Sequence, residues 1–265
     1  MDAVLYMPSS GRATRCATLG RLPEDLRTRV LVAVPEPEAD AYMRALPGQP
    51  VLAVPEALHG IAPTRQWLLE HAASQGHKVM LQLSDDMRFV RRISLDDWHL
   101  RQAGPEDVAV LLYRLAGRVS SGEYVHAGVH ARSGLQNKPA PMMVAQRMCD
   151  VYAHHVPTLM RYGIRWDRTP VMEDFDVTLQ LLRRGLPNAV DTEFGWDQQS
   201  SNAVGGCSQY RTPELQQQGA ERLHELHPAF VRVTQKPASN WKGFNGTRYD
   251  VTVQWQRALK AADLR

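Results

Sequence analysis

At 265 residues, with 43% hydrophobic and 22% charged side chains, the chain has the composition of an ordinary globular protein and is long enough for one large α/β domain. Its net charge of +3 is too small to mark a nucleic-acid binder by itself, and its three widely spaced cysteines, Cys16, Cys149 and Cys207, exclude a C-x-x-C zinc or redox motif. The N-terminal MDAVLYMPSSGRATR lacks a long apolar stretch and no later run reaches the length of a membrane span, so free thiols in a cytosolic protein are expected.

Residues 3–7 form a short apolar run that breaks at Pro8-Ser9-Ser10-Gly11, the pattern of a first strand feeding a small-residue turn that carries Arg12 and Arg15. Such a turn admits a phosphate or base, but it also fits an ordinary strand-to-loop connection. RVLVAV at 29–34 predicts a second strand, residues 38–46 a helix, and 51–54 a third strand ending at Pro55. Pro63 opens a helix through RQWLLEHAASQG, with Gly76 as its stop. Residues 78–83 predict a fourth strand, apolar apart from Lys78 and Gln82 and thus buried on both faces. Strands alternating with helices in this way predict an α/β fold with a mostly parallel sheet.

The fourth strand runs into Ser84-Asp85-Asp86, at the sheet edge where ligands bind in open α/β folds. Two carboxylates there are hard oxygen ligands suited to Mg²⁺ or Mn²⁺ on a phosphate, or else turn and capping aspartates. Arg88, Arg91 and Arg92 follow, and Arg183 and Arg184 form a second basic cluster; each suits a groove lining or a solvated face. Pro105 opens the strongest helix, PEDVAVLLYRLAGRVSSG, with acids first and Arg118 last, in agreement with the helix dipole. YVHAGVHA at 124–131 predicts a strand with His126 and His130 on one face, suited to a ligand or to a hydrogen-bonded structural pair. Residues 133–141 read as a polar loop and 148–156 as another strand.

In VMEDFDVTLQLLRRG at 171–185, Glu173, Asp174 and Asp176 crowd the start of an amphipathic helix that buries Phe175, Leu179 and Leu182. The dipole favours acids there, and a carboxylate at such a mouth also serves as a general base. A strand near 189–192 leads to WDQQSSNAVGGCSQYRT, which reads as a mobile loop over a site or a surface loop. Thr212-Pro213 caps a further helix that ends near His227, and 230–233 predict a last strand. The tail at 236–255 interleaves Trp241, Phe244, Tyr249 and Trp255 with Lys236, Lys242 and Arg248, which fits a base- or sugar-stacking surface or a packed flap.

The segments PSSGR, HGIAPTRQWLL, LSDDM, HAGVHARSG, MEDFDVTLQLLRRG, SNAVGGCSQYRT, ELHPAFVRV and DVTVQW resemble the TET/JBP-associated glycosyltransferases of bacteriophages, which have a GT-A fold. The resemblance implies a Rossmann-type, mixed and mostly parallel sheet flanked by helices, in one domain with a nucleotide-sugar-binding half at 1–130 and an acceptor and catalytic half at 131–265. It implies transfer from a nucleotide-sugar, with UDP as the family-level expectation, onto 5-hydroxymethylcytosine in DNA, in the cytoplasm of an infected bacterial host and with Mn²⁺ or Mg²⁺. Position by position, Ser10, Gly11, Arg12, Arg65, Ser84 and Asp85 would face the donor. Asp86 and His227 would hold the metal, and His130, Arg132 and Asn202 would face the acceptor. Asp174 would be the base and Glu173 its orienting neighbour. Ser84 departs from a plain D-x-D by occupying its first acidic position. Three alternatives stay open: a GT-A transferase with a small-molecule or protein acceptor, a metal-dependent phosphoryl-transfer enzyme or nuclease, and a DNA-binding protein without catalysis.

Overall fold

In the computed structural model, which describes residues 2–139, 141–198, 205–238 and 246–262, the predicted apolar runs form one side of a large mixed sheet. Strands β1 (Val4–Pro8), β2 (Val30–Pro35), β3 (Val51–Val54) and β4 (Val79–Leu83) pair in parallel in the order β3-β2-β1-β4. They connect through α1 (Glu24–Arg27), α2 (Ala39–Ala45) and α3 (Ile61–Ser74). All five residues of β4 are buried, Gln82 included, as its near-continuous apolar sequence requires.

The chain then makes a hairpin of β5 (Met87–Ser94) and β6 (Asp97–Gln102), followed by α4 (Pro105–Ser120) and β7 (His126–Ala131). Next come β8 (Met142–Val144), β9 (Val151–His155), α5 (Val156–Arg161), α6 (Glu173–Leu182) and β10 (Asn188–Gln198). Among the described residues the sheet order is β3-β2-β1-β4-β9-β7-β10-β5-β6, with β8 on β10. Strands β1, β2, β3, β4, β6, β7 and β10 run in one direction, and β5, β8 and β9 run against them.

Alternation along the strands splits the core between the two faces. Leu111, Leu112 and Leu115 of α4 join Leu5, Met7 and Leu81 on one face. On the other, Leu68 and Leu69 of α3 join Tyr6, Met80, Tyr152 and Trp166. A third cluster links α6 to α7 (Pro213–Leu226), to the hairpin β11 (Val231–Pro237) and β12 (Thr247–Val253), and to α8 (Trp255–Lys260).

The hairpin β5–β6 is absent from the sequence reading because arginines interrupt its pattern. The structure buries Arg92, ties Arg91 to acidic partners and leaves Arg88 exposed. Arg92 is buried and donates to the carbonyls of Thr192, Leu135 and Lys138, while Arg91 pairs with Asp107 and Glu193 at 2.7 Å each. They therefore line no groove. Arg183 likewise donates to the Leu226 carbonyl and to His227. The predicted strand at 148–156 begins only at Val151, because Asp150 takes a left-handed φ of 67°. Of the aromatic tail, Tyr249 lies in β12 and Trp255 packs on Phe175, with ring centroids 5.6 Å apart. Trp241, Lys242 and Phe244 lie outside the described residues. No helix among the described residues is long and apolar enough to cross a membrane.

Candidate active site

The turn after β1, the carboxyl end of β4 and the head of α6 all open into one cleft of about 1450 Å³. A pocket for one small ligand holds several hundred Å³, so this volume has room for more than one such ligand. At the turn after β1, Ser9 Oγ donates to Asp85 Oδ2 and lies 2.7 Å from the Tyr42 hydroxyl. Arg12 Nη1 lies 2.5 Å from Asp85 Oδ1 and 3.0 Å from Asp86 Oδ2. Glu38, which the sequence reading did not single out, accepts from Ser10 Oγ at 2.8 Å and from the Gly11 amide at 2.7 Å, and so fixes the turn at Gly11, whose φ is 64°. A later segment crosses this turn: the Gly206 amide donates to the Ser10 carbonyl at 2.8 Å, and Arg12 Nη2 to the Gly205 carbonyl at 3.2 Å. The Ile61 amide, at the start of α3, donates to the Tyr210 hydroxyl at 3.0 Å.

Ser84 lies opposite Asp150. The pairing of β4 with β9 sets Leu83 against Val151, so the Ser84 amide donates to the Asp150 carbonyl at 2.9 Å and Ser84 Oγ to Asp150 Oδ1 at 2.8 Å. The residue just before β9 thus sets a carboxylate beside Ser84. Burial raises the pKa of Asp86, Arg12 opposes that shift, and the negative charges of Asp85 and Asp150 add to it. The sequence signal for Asp150, an isolated aspartate before an apolar run, is too weak to find it.

At the other wall, Met172 takes a left-handed φ of 65° just before α6, which turns Glu173 and Asp174 together toward the cleft. Glu173 Oε1 is 3.0 Å from Arg65 Nη1, and both side chains are buried. Arg65 also donates to the Tyr152 hydroxyl at 3.0 Å and lies over the Tyr152 and Trp166 rings. Arg65 thus forms the cleft floor beneath the acid pair. Asp174 is buried, and its pKa is pushed up to about 7, by burial first and by the charge of Glu173 second. Arg147, half-exposed, lies 3.9 Å from Asp174 Oδ2 and stacks over Phe175.

Asp176, the third acid of the stretch, points away into the core. It accepts from Arg168 at 2.9 Å, from Gln180 at 2.8 Å and from His227 Nε2 at 2.7 Å. His227 is buried there and lies off the cleft wall, with Nδ1 accepting from Arg183 at 2.9 Å. Its two ring nitrogens are committed to that network, away from Asp86. His126 is buried beside His154 and donates to the Leu186 carbonyl. His130 turns to the Ala131 carbonyl at 2.8 Å, whereas Arg132 lines the cleft and pairs with Asp197 at 3.1 Å. Asn202 lies outside the described residues.

Among the solved structures that resemble this chain are two with different titles. One is titled a CMP:2-keto-3-deoxy-manno-octonic acid synthetase complexed with CTP, at 16% identity over 72% of this chain and 89% of that one, with a TM-score of 0.42. The other is titled a mannose-1-phosphate geranyltransferase from Thermus thermophilus, at 14% identity over 74% and 76%, with a TM-score of 0.46. No curated protein matches the sequence. Residues 3–206, which carry the turn after β1, the acidic pair and the head of α6, match the family described as TET-Associated Glycosyltransferase, and the chain belongs to that family of glycosyltransferases.

Proposed function

We propose that the protein moves a sugar from a nucleotide-sugar, with a UDP-sugar as the expected donor, onto the hydroxyl of 5-hydroxymethylcytosine in DNA. The observation that carries this reading is Asp174, a buried carboxyl on the wall of the cleft shared with the Ser9–Arg12 turn, whose pKa near 7 suits proton acceptance at neutral pH. In a single displacement the acceptor oxygen bonds to the anomeric carbon while the bond from that carbon to the diphosphate breaks with its electron pair. The hydroxyl proton passes to Asp174, and the anomeric carbon inverts.

The chain's own groups divide the remaining work. Ser10, Gly11 and Arg12 form the small-residue turn that suits the diphosphate, with Arg12 as a bidentate donor. Arg132, Arg147, Arg211 and Arg248 line the cleft and suit phosphates of the acceptor strand, with the modified base flipped toward Asp174.

The resemblance implies Mn²⁺ or Mg²⁺, and the residues fit an ion shared with the donor. Asp85 and Asp86 already hold one positive group, the Arg12 guanidinium, between them. Among the described residues no group of three or more His, Cys, Asp or Glu is arranged to hold a metal alone. Asp86 and Asp150 would therefore supply carboxylate oxygens and the phosphates the rest, which is the usual habit of Mg²⁺. When bound, the ion neutralises charge on the departing diphosphate.

The test is transfer from a panel of UDP-sugars with Mn²⁺ or Mg²⁺ onto DNA carrying cytosine or 5-hydroxymethylcytosine, read by the mass of the digested nucleosides. A hexose-sized gain confined to the hydroxymethylated DNA and lost with chelator is the expected result. Cleavage of DNA with Mg²⁺ alone, or binding with no gain from any donor, overturns the proposal.

A further inference from the structure

The two adjacent acids at the head of α6 face the same cleft but have different partners. Glu173 is joined to Arg65 at 3.0 Å, and both side chains are almost completely buried. Arg65 is fixed in turn by the Tyr152 hydroxyl at 3.0 Å and by the faces of Tyr152 and Trp166, 4.8 and 5.3 Å from the guanidinium carbon. A buried guanidinium held on several sides has one geometry, so the carboxylate it grips has one as well. Asp174 has no such grip. Its nearest ion-pair partner is Arg147, half-exposed and 3.9 Å away.

We propose that Arg65 is a positioning residue: by locking Glu173 in a buried ion pair, it makes one of two neighbouring acids a fixed anchor and leaves the other, Asp174, as the proton acceptor. The inference rests on the base role given to Asp174 above. Arg65 touches neither sugar nor acceptor in this role and acts through Glu173. Without the ion pair, two carboxylates on consecutive residues would share whatever proton enters the site, and neither would have a defined role.

The titratable and charged groups facing Asp174 come from several elements: Glu173 on its own helix, Arg65 from α3, Tyr152 from β9, and Arg147, Cys149 and Asp150 from the segment before β9, with burial keeping Tyr152 and Cys149 neutral. Glu173 and Asp150 raise its proton affinity, and Arg147 and Arg65 lower it. Opposite signs follow for the two members of the ion pair. Glu173→Gln removes a neighbouring anion, so Asp174 should titrate at lower pH. Arg65→Gln removes a cation and releases Glu173 as an unpaired anion, so Asp174 should titrate at higher pH. Nearby charges shift a buried carboxyl by roughly one to three pH units, so both changes are measurable.

The experiment is a carbon-detected NMR titration of the side-chain carboxyls in the full chain, with the Asp174 signal identified by its loss in Asp174→Asn. It needs no substrate. The expected result is a downward shift in Glu173→Gln, an upward shift in Arg65→Gln, and near-cancellation in the double variant. Arg65→Lys, which keeps the charge, guards against a fold too damaged to read and should stay close to the unaltered protein. An Asp174 titration that does not move, or that moves the same way in both single variants, overturns the inference. Transfer to hydroxymethylated DNA by Asp174→Asn at full rate overturns the base assignment itself, an outcome separate from the titration.

Discussion

Arg12 Nη1 lies 2.5 Å from Asp85 Oδ1, and the same nitrogen reaches Asp86 Oδ2 at 3.0 Å. The guanidinium stands where the proposed divalent ion would bind. Arg12→Ala should therefore change two affinities in opposite directions. Mn²⁺ binding without donor, followed by electron paramagnetic resonance, should tighten as both carboxylates become available, while UDP binding by calorimetry should weaken about tenfold or more as the bidentate donor is lost. Equal weakening of both would contradict the idea that Arg12 and the ion compete.

Asp174→Asn should abolish transfer, by a factor of roughly 10² to 10⁴, with donor affinity nearly unchanged. It should also stabilise the protein at alkaline pH. The folded state raises the pKa of Asp174 from its ordinary 3.8 to about 7, so ionising it above that pH opposes folding. The cost is absent below pH 4, grows between pH 4 and 7 and is complete above, and removing it is worth on the order of 4 kcal/mol. Chemical denaturation of the two proteins at pH 5 and pH 8 measures the difference.

His126 gives the opposite slope. Burial lowers its pKa to about 4 from the ordinary 6.5. Below pH 6.5 the unfolded chain takes up a proton that the folded chain refuses. Stability tied to His126 is therefore full above pH 6.5 and is lost as pH falls toward 4, by up to about 3 kcal/mol. His126→Asn should flatten this part of the stability profile, and an unchanged acid limb would place the loss elsewhere.

Asp150→Asn should preserve the fold, since asparagine tolerates the left-handed backbone and still accepts from Ser84. Mn²⁺ and donor affinities should both fall by about 10- to 100-fold. Ser84→Ala, which frees Asp150 but keeps its charge, should have a smaller effect on both.

His227→Gln should lower stability by about 2–4 kcal/mol, because Asp176 would keep its burial and lose its best neutral donor. Metal affinity should be unaffected, which separates a structural histidine from a ligand.

The parallel half of the sheet was legible because β1, β2 and β4 are short apolar runs with clear stops, and the helix over Glu173–Leu182 because its apolar spacing is regular. The β5–β6 hairpin was not, since Arg91 and Arg92 read as surface charge until Glu193, Asp107 and the carbonyl of Thr192 are brought to them by distant chain. The acid stretch illustrates the same limit at finer scale. Sequence placed Glu173, Asp174 and Asp176 at one helix start, but which faces the cleft and which the core depends on the backbone turn at Met172 and on Arg65, Arg168 and His227, none of them adjacent in sequence. Asp150 became visible only through strand pairing.

The strand order also sets how far apart in the chain the paired strands lie. The β5–β6 hairpin is made early in the chain, yet the strand it pairs with is β10, and the buried bond from Arg92 to Thr192 spans 100 residues. Until β10 arrives, Arg91 and Arg92 have no interior to enter and the hairpin has no sheet to extend. Closure of the sheet at β10 thus depends on non-local pairing, the kind of contact that slows folding.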